Sequence, residues 1–152
     1  MKKKIIIIVI ILVILLIGSG ILLVFNNEKK YEYLDSIQVT YSESTLYSQQ
    51  DFEYSIEHIK QKFNRNGSMK KYKLKSIEYI GDEETLEYGN IQYVMENLNK
   101  MYNKGIVYRI NYQAPESAIE SYSPNENVLC RWILGTDDGI NWKFIHMDET
   151  SF

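Results

Sequence analysis

The chain has 152 residues, with 17 Lys and Arg against 20 Asp and Glu, and a single cysteine. Beyond residue 26, the 14 remaining basic side chains face all 20 acidic ones, so that part carries −6, which argues against a surface for nucleic acid or anionic lipid headgroups. Cys130 has no intrachain partner for a disulfide, and the 126 residues after position 26 suffice for one domain with its own core, without a metal to hold it.

Residues 5–25 form an apolar run interrupted only by Gly18, Ser19 and Gly20. As a helix they span about 31 Å, enough to cross the hydrocarbon core of a bilayer with every backbone group satisfied internally. Lys2, Lys3 and Lys4 precede the run and a mixed-charge flank follows it. The positive-inside rule then places the N-terminus in the cytoplasm and the rest of the chain outside. The competing expectation is a signal peptide cleaved near Gly18–Gly20, releasing a secreted domain whose new N-terminus would be apolar. The organisation read from this is residues 1–26 as anchor or signal peptide, 27–47 as linker with a short strand at 36–41, and 48–152 as an extracytoplasmic domain.

Within that domain Phe52, Ile56, Ile59 and Phe63 fall at i, i+4, i+7 and i+11, one stripe of a helix expected over 49–66. Ser48 and Asp51 have the spacing of a capping box, and Gly67 is placed to end the helix. Residues 71–80 read as a strand in which Tyr72 and Leu74 fall out of phase with Ile77 and Tyr79, so a bulge is expected near Lys75 or Ser76. The acidic stretch at 82–87 reads as a solvated turn, and Ile91, Val94, Leu98 and Met101 repeat with helical spacing over 89–102. Three strands complete the chain, at 106–113, 127–134 and 141–147, the last two joined by the Asp137-Asp138-Gly139 hairpin turn. Residues 114–126, which contain both prolines, read as a mobile surface loop. The expected class is α+β, with helices packed on a curved antiparallel sheet.

The segment from Arg131-Trp132-Ile133-Leu134 through Asp138-Gly139-Ile140-Asn141-Trp142-Lys143-Phe144-Ile145 resembles the closing hairpin of a bacterial family of exported domains of unknown function. That family is similar to nuclear-transport-factor-2-like, or cystatin-like, folds. The opening helix with Ser48, Asp51 and Phe63, and the strand carrying Leu74, Ile77 and Tyr79, resemble it as well. The likeness runs from Ser48 to Met147, and His146-Met147-Asp148 stands where the family closes differently. The resemblance implies a fold and an extracytoplasmic address, and no reaction.

Few residues suggest chemistry. His146 and Asp148, two apart on the last strand, are the candidate catalytic pair, because an Asp/His pair inside a cone-shaped sheet can move protons. The competing reading leaves both in water at a strand end. His58 fits a polar helix face, and Cys130 a small buried hydrophobe between Val128 and Trp132. Asp82, Glu83, Glu84 and Glu87 lack the alternating ligands and distal Glu of a calcium loop. Lys70, Lys71, Lys73 and Lys75 read as the charged margin of an edge strand. No cofactor or metal site is expected. The expected partners are the bilayer, through residues 5–25, and an unidentified protein or small molecule, with no nucleic acid. The favoured expectation is a membrane-anchored, non-enzymatic binding or interaction module. Its competitors are an enzyme using His146 and Asp148 as acid and base, and a scaffold of an envelope or conjugation machine.

Overall fold

The first long helix, α1 (Gln49–Phe63), forms where the apolar stripe requires it. Ser48 and Asp51 close a capping box at its start, satisfying amides that have no partner within the helix. Phe52, Ile56, Ile59 and Phe63 are all buried, contributing roughly 1.5–3 kcal/mol each. The helix stops at Phe63, three residues before the expected end, because the chain turns back over the last turn. The Met69 amide donates to the Lys62 carbonyl at 2.7 Å, and a Cβ at Gly67 would lie only 2.0 Å from that same oxygen. Only glycine permits that approach.

The computed structural model describes residues 31–88, 102–117 and 122–148. The chain divides into two units, Met1–Ser36 and Ile37–Phe152. In the first, the described residues form a short 3-10 turn, Glu32–Asp35. Residues 5–25 lie outside the described residues. Among the described ones, no helix is long and apolar enough to cross a membrane.

The second unit is an α+β arrangement around a five-stranded sheet: β1 (Gln38–Thr40), β2 (Lys73–Tyr79), β3 (Lys104–Gln113), β4 (Asn127–Thr136) and β5 (Lys143–Asp148), in that spatial order. The sheet is mixed rather than wholly antiparallel, because β1 runs parallel to β2 while the other neighbours are antiparallel. A parallel pair needs a crossover, and α1 supplies it. β2 is therefore not an edge strand as its lysines suggested. Among the described residues β1, however, pairs only with Ser76, Ile77 and Glu78.

Register explains which side chains reach the core. The expected bulge in β2 is present between Leu74 and Ser76. It brings Leu74 opposite Tyr112, Ile77 opposite Ile110 and Tyr79 opposite Tyr108, so all three share the face under α1. That face continues through Ile106, Tyr108, Ile110 and Tyr112 of β3 to Leu134, Trp132, Cys130 and Val128 of β4. Phe63 stacks on Trp132 with ring centroids 5.6 Å apart, and Phe52 meets Tyr79 edge-on at 5.0 Å.

β5 does not keep a strict two-residue alternation. Phe144 pairs with Leu134 and Met147 with Trp132, while Ile145 is an inserted residue that re-phases the strand. Phe144 and Met147 lie on the α1 face, and His146 and Asp148 on the opposite, outer face. The outer face carries a row in register across four strands: Glu78, Arg109, Arg131 and Asp148. Like charges directly opposed destabilise a sheet. Here each arginine has an acid beside it, Glu78 at 2.9 Å from Arg109 and Asp148 at 3.7 Å from Arg131.

One further difference concerns a connection. The acidic stretch is helix α2 (Asp82–Tyr88), not a turn, since Asp82, Glu83 and Glu84 fill a first turn where negative charge offsets the helix dipole. The helix expected over 89–102 lies outside the described residues, apart from Tyr102, which is not helical. The loop expected over 114–126 has its ends tied together by the Ala114 amide donating to the Glu126 carbonyl at 2.8 Å.

Candidate functional site

A dense polar arrangement lies at the N-terminal end of α1, where the helix meets the start of β3 and the β4–β5 turn. Asp51 is 5% exposed. One of its carboxylate oxygens accepts from the Ser48 amide at 2.8 Å, the Ser48 hydroxyl at 2.7 Å and the Lys104 ammonium at 2.6 Å. Burial opposes ionisation of Asp51 most strongly. The hydrogen bonds from Lys104 and Ser48, together with the lysine charge, outweigh it and hold the carboxyl below its usual range. Lys104 is half-buried and also lies 5.5 Å from the centroid of the Tyr47 ring, whose hydroxyl donates to the Gly105 carbonyl.

Beneath this pair the polar contacts continue inward. The Ser55 hydroxyl bonds the Asp51 carbonyl at 2.6 Å and meets the Tyr108 hydroxyl at 2.6 Å, so the two buried hydroxyls satisfy each other inside the apolar layer. Burial drives the Tyr108 phenol well above its ordinary value, and does the same at Tyr47. Both phenols are therefore neutral hydrogen-bonding groups throughout the physiological range.

The other wall of the site is the β4–β5 turn. Asp138 accepts from the Asn141 side chain at 2.6 Å, the amides of Asn141 and Ile140 at 2.7 and 2.9 Å, and the Thr136 hydroxyl at 3.0 Å. These bonds, led by those from Asn141, hold it ionised well below the usual carboxylate range. Gly139 has φ +74°, a conformation side chains disfavour, and a Cβ there would lie 3.5 Å from an Asp51 oxygen. Between the walls runs an open groove of about 490 Å³, lined by Ser48, Gln50, Asp51, Lys104, Asp138 and Ile140 among others. Ile140 is 56% exposed at its rim.

A second groove, of about 400 Å³, lies beside it over Tyr41, Ser44, Tyr47 and Phe52. Tyr41 stacks on Phe52 at 4.7 Å. The loop that forms this groove is fastened by Asp82, which accepts from the Ser44 and Thr45 hydroxyls, the Thr45 amide and the Tyr79 hydroxyl. Those bonds, led by the one from Ser44, lower the Asp82 pKa. Burial, reinforced by the Asp82 bond, leaves the Tyr79 phenol pushed up to about 12. Asp82 thus pins the second groove, and Asp138 holds one wall of the first.

The residues singled out from the sequence sit elsewhere. His146 is exposed on the outer face opposite Ile133, and Asp148 is beside Arg131, both on the side of the sheet away from α1. His58 lies on α1 with its Nε2 buried and unpartnered among the described residues. Burial and nearby Lys62 lower its pKa. Cys130 is fully buried on β4 opposite Ile110 of β3, as expected of a small hydrophobe. Among the described residues no group of His, Cys, Asp and Glu has the geometry to hold a metal ion. The sequence marks Asp51 by its capping spacing and its place in the family resemblance, not by a charge pair. Its lysine lies 53 residues away, so spacing carries no signal of the pair.

In comparisons with known proteins, no family model, curated protein or solved structure matches the chain.

Proposed function

We propose that the chain is a single-pass membrane protein whose α+β domain, outside the cell, binds a protein or small-molecule partner without transforming it. The anchor is residues 5–25, and the three lysines before them orient it. A cystatin-like or nuclear-transport-factor-2-like relationship is part of the proposal. It is supported by one long helix lying across the β2–β5 meander, and the parallel β1 departs from it.

The observation that carries the binding reading is the construction of the first groove. Its two anchored carboxylates, Asp51 and Asp138, are fixed by bonds from the chain's own amides, hydroxyls and side chains. They hold the groove walls in place next to the half-buried Lys104 and the exposed Ile140, a polar floor with an apolar rim residue. Such a surface recognises a complementary segment with little rearrangement, which lowers the entropic cost of binding.

A photoreactive residue placed at Gln50 or Ile140 of the full-length chain, in cells, should give a discrete adduct. The same residue at Glu57, on the exposed face of α1, should not. Equal labelling from all three positions, or none from the groove, contradicts the proposal.

A further inference from the structure

Among the described residues β5 is the last strand of the sheet, and its side chains change phase midway. Phe144 and Met147 lie on the α1 face, Lys143, His146 and Asp148 on the outer face, and Ile145 is the insertion between them. Such a phase change ordinarily blunts an edge, because a regular incoming strand can match only one half of it.

We infer that the edge of β5 pairs with β5 of a second copy of this chain, antiparallel, about a two-fold axis passing between Ile145 and His146. A second copy carries the same phase change and therefore meets it in step. With the axis there, Lys143 faces Asp148 of the second copy, and Phe144 faces Met147 of the second copy, each contact occurring twice. Outer-face charge meets opposite charge, and apolar side chains meet on the α1 face. A slip of one residue in either direction sets Phe144 against Asp148 or Lys143 against Met147, an apolar residue against a charge on the wrong face.

The exposed chemistry along the strand fits this partner. Phe144 is 38% exposed although it packs edge-on against Trp132 at 5.1 Å, so its open side is available to Met147 of the second copy. The Asp148 side chain is 36% exposed and its contact with Arg131, at 3.7 Å, is long for an ion pair. Lys143 of the second copy brings a further cation alongside that exposed carboxylate. The pairing surface lies on a different part of the fold from the groove walls at Asp51 and Asp138, so its test is separate from theirs.

Two differently tagged full-length chains are co-expressed, one carrying Lys143→Cys and the other Asp148→Cys, with the native Cys130 buried and silent. Directly opposed Cα atoms lie about 4.5–5.5 Å apart, within disulfide range, so mild oxidation should give the mixed disulfide. Either variant expressed alone holds its two cysteines five residue steps apart, about 17 Å, and should give none. The pair Phe144→Cys with Met147→Cys reports the other face, and it leaves the Asp148–Arg131 contact intact should its loss disturb the strand. Linkage in at least one mixed pair, without linkage in the single variants, is the expected result. Absence of linkage in both mixed pairs overturns the inference. So does equal linkage in a single variant or in the out-of-step pair Phe144→Cys with Asp148→Cys.

Discussion

Ile59→Ala should cost about 2–5 kcal/mol and Phe63→Ala about 3–5 kcal/mol, against less than about 0.5 kcal/mol for Glu57→Ala. Ile59 and Phe63 are fully buried, whereas Glu57 is exposed on the same helix. Removing the Ile59 side chain leaves a cavity between α1 and the sheet, and close-packed neighbours collapse into it only in part. Phe63 carries more, since its ring stacks on Trp132 and also meets Tyr112 at 5.8 Å. Denaturant titration of the three variants separates these costs. Comparable losses at Ile59 and Glu57 would mean that α1 does not present this stripe to the sheet.

The second large effect is on acid stability. Asp51 is ionised more readily in the fold than in the unfolded chain. Its contribution to stability is therefore complete above the unfolded value of about 3.9 and is lost as pH falls through the lower, folded value. Asp82 and Asp138 have lowered pKa values too and add to the same acid limb. Lys104→Met isolates Asp51. It removes the lysine hydrogen bond and charge while the burial that opposes ionisation stays, so the folded pKa of Asp51 rises. The acid-unfolding midpoint should then move to higher pH, with a cost of about 1–2 kcal/mol at neutral pH, since Lys104 is partly solvated. A pH titration of unfolding by circular dichroism reads both changes. An unmoved acid midpoint would show that the pair does not hold Asp51 ionised.

What the sequence revealed follows from the range of the interaction. The α1 stripe and its capping box are local, with side chains three to eleven positions apart, and both stand where their spacing puts them. The β2 bulge was visible because two polar residues, Lys75 and Ser76, separate two apolar runs of opposite phase. The β5 bulge was not, because Phe144, Ile145 and Met147 are all apolar and keep a plausible alternation in either phase. Its consequence is that Phe144 and His146 take opposite faces. The acidic start of α2 has the composition of a solvated turn, and only the helix dipole distinguishes the two. The Asp51–Lys104 pair and the Glu78–Arg109–Arg131–Asp148 row depend on register across the sheet, which single-strand patterns do not contain.

Display of the domain outside the membrane on an uncleaved anchor is the central proposal. Protease added to intact cells expressing the full-length chain tests it most directly. The domain should be digested while a membrane-bound fragment containing residues 5–25 remains. A domain that stays protected until the cells are lysed, or one found free in the medium at the mass of a chain cleaved near Gly20, would contradict it.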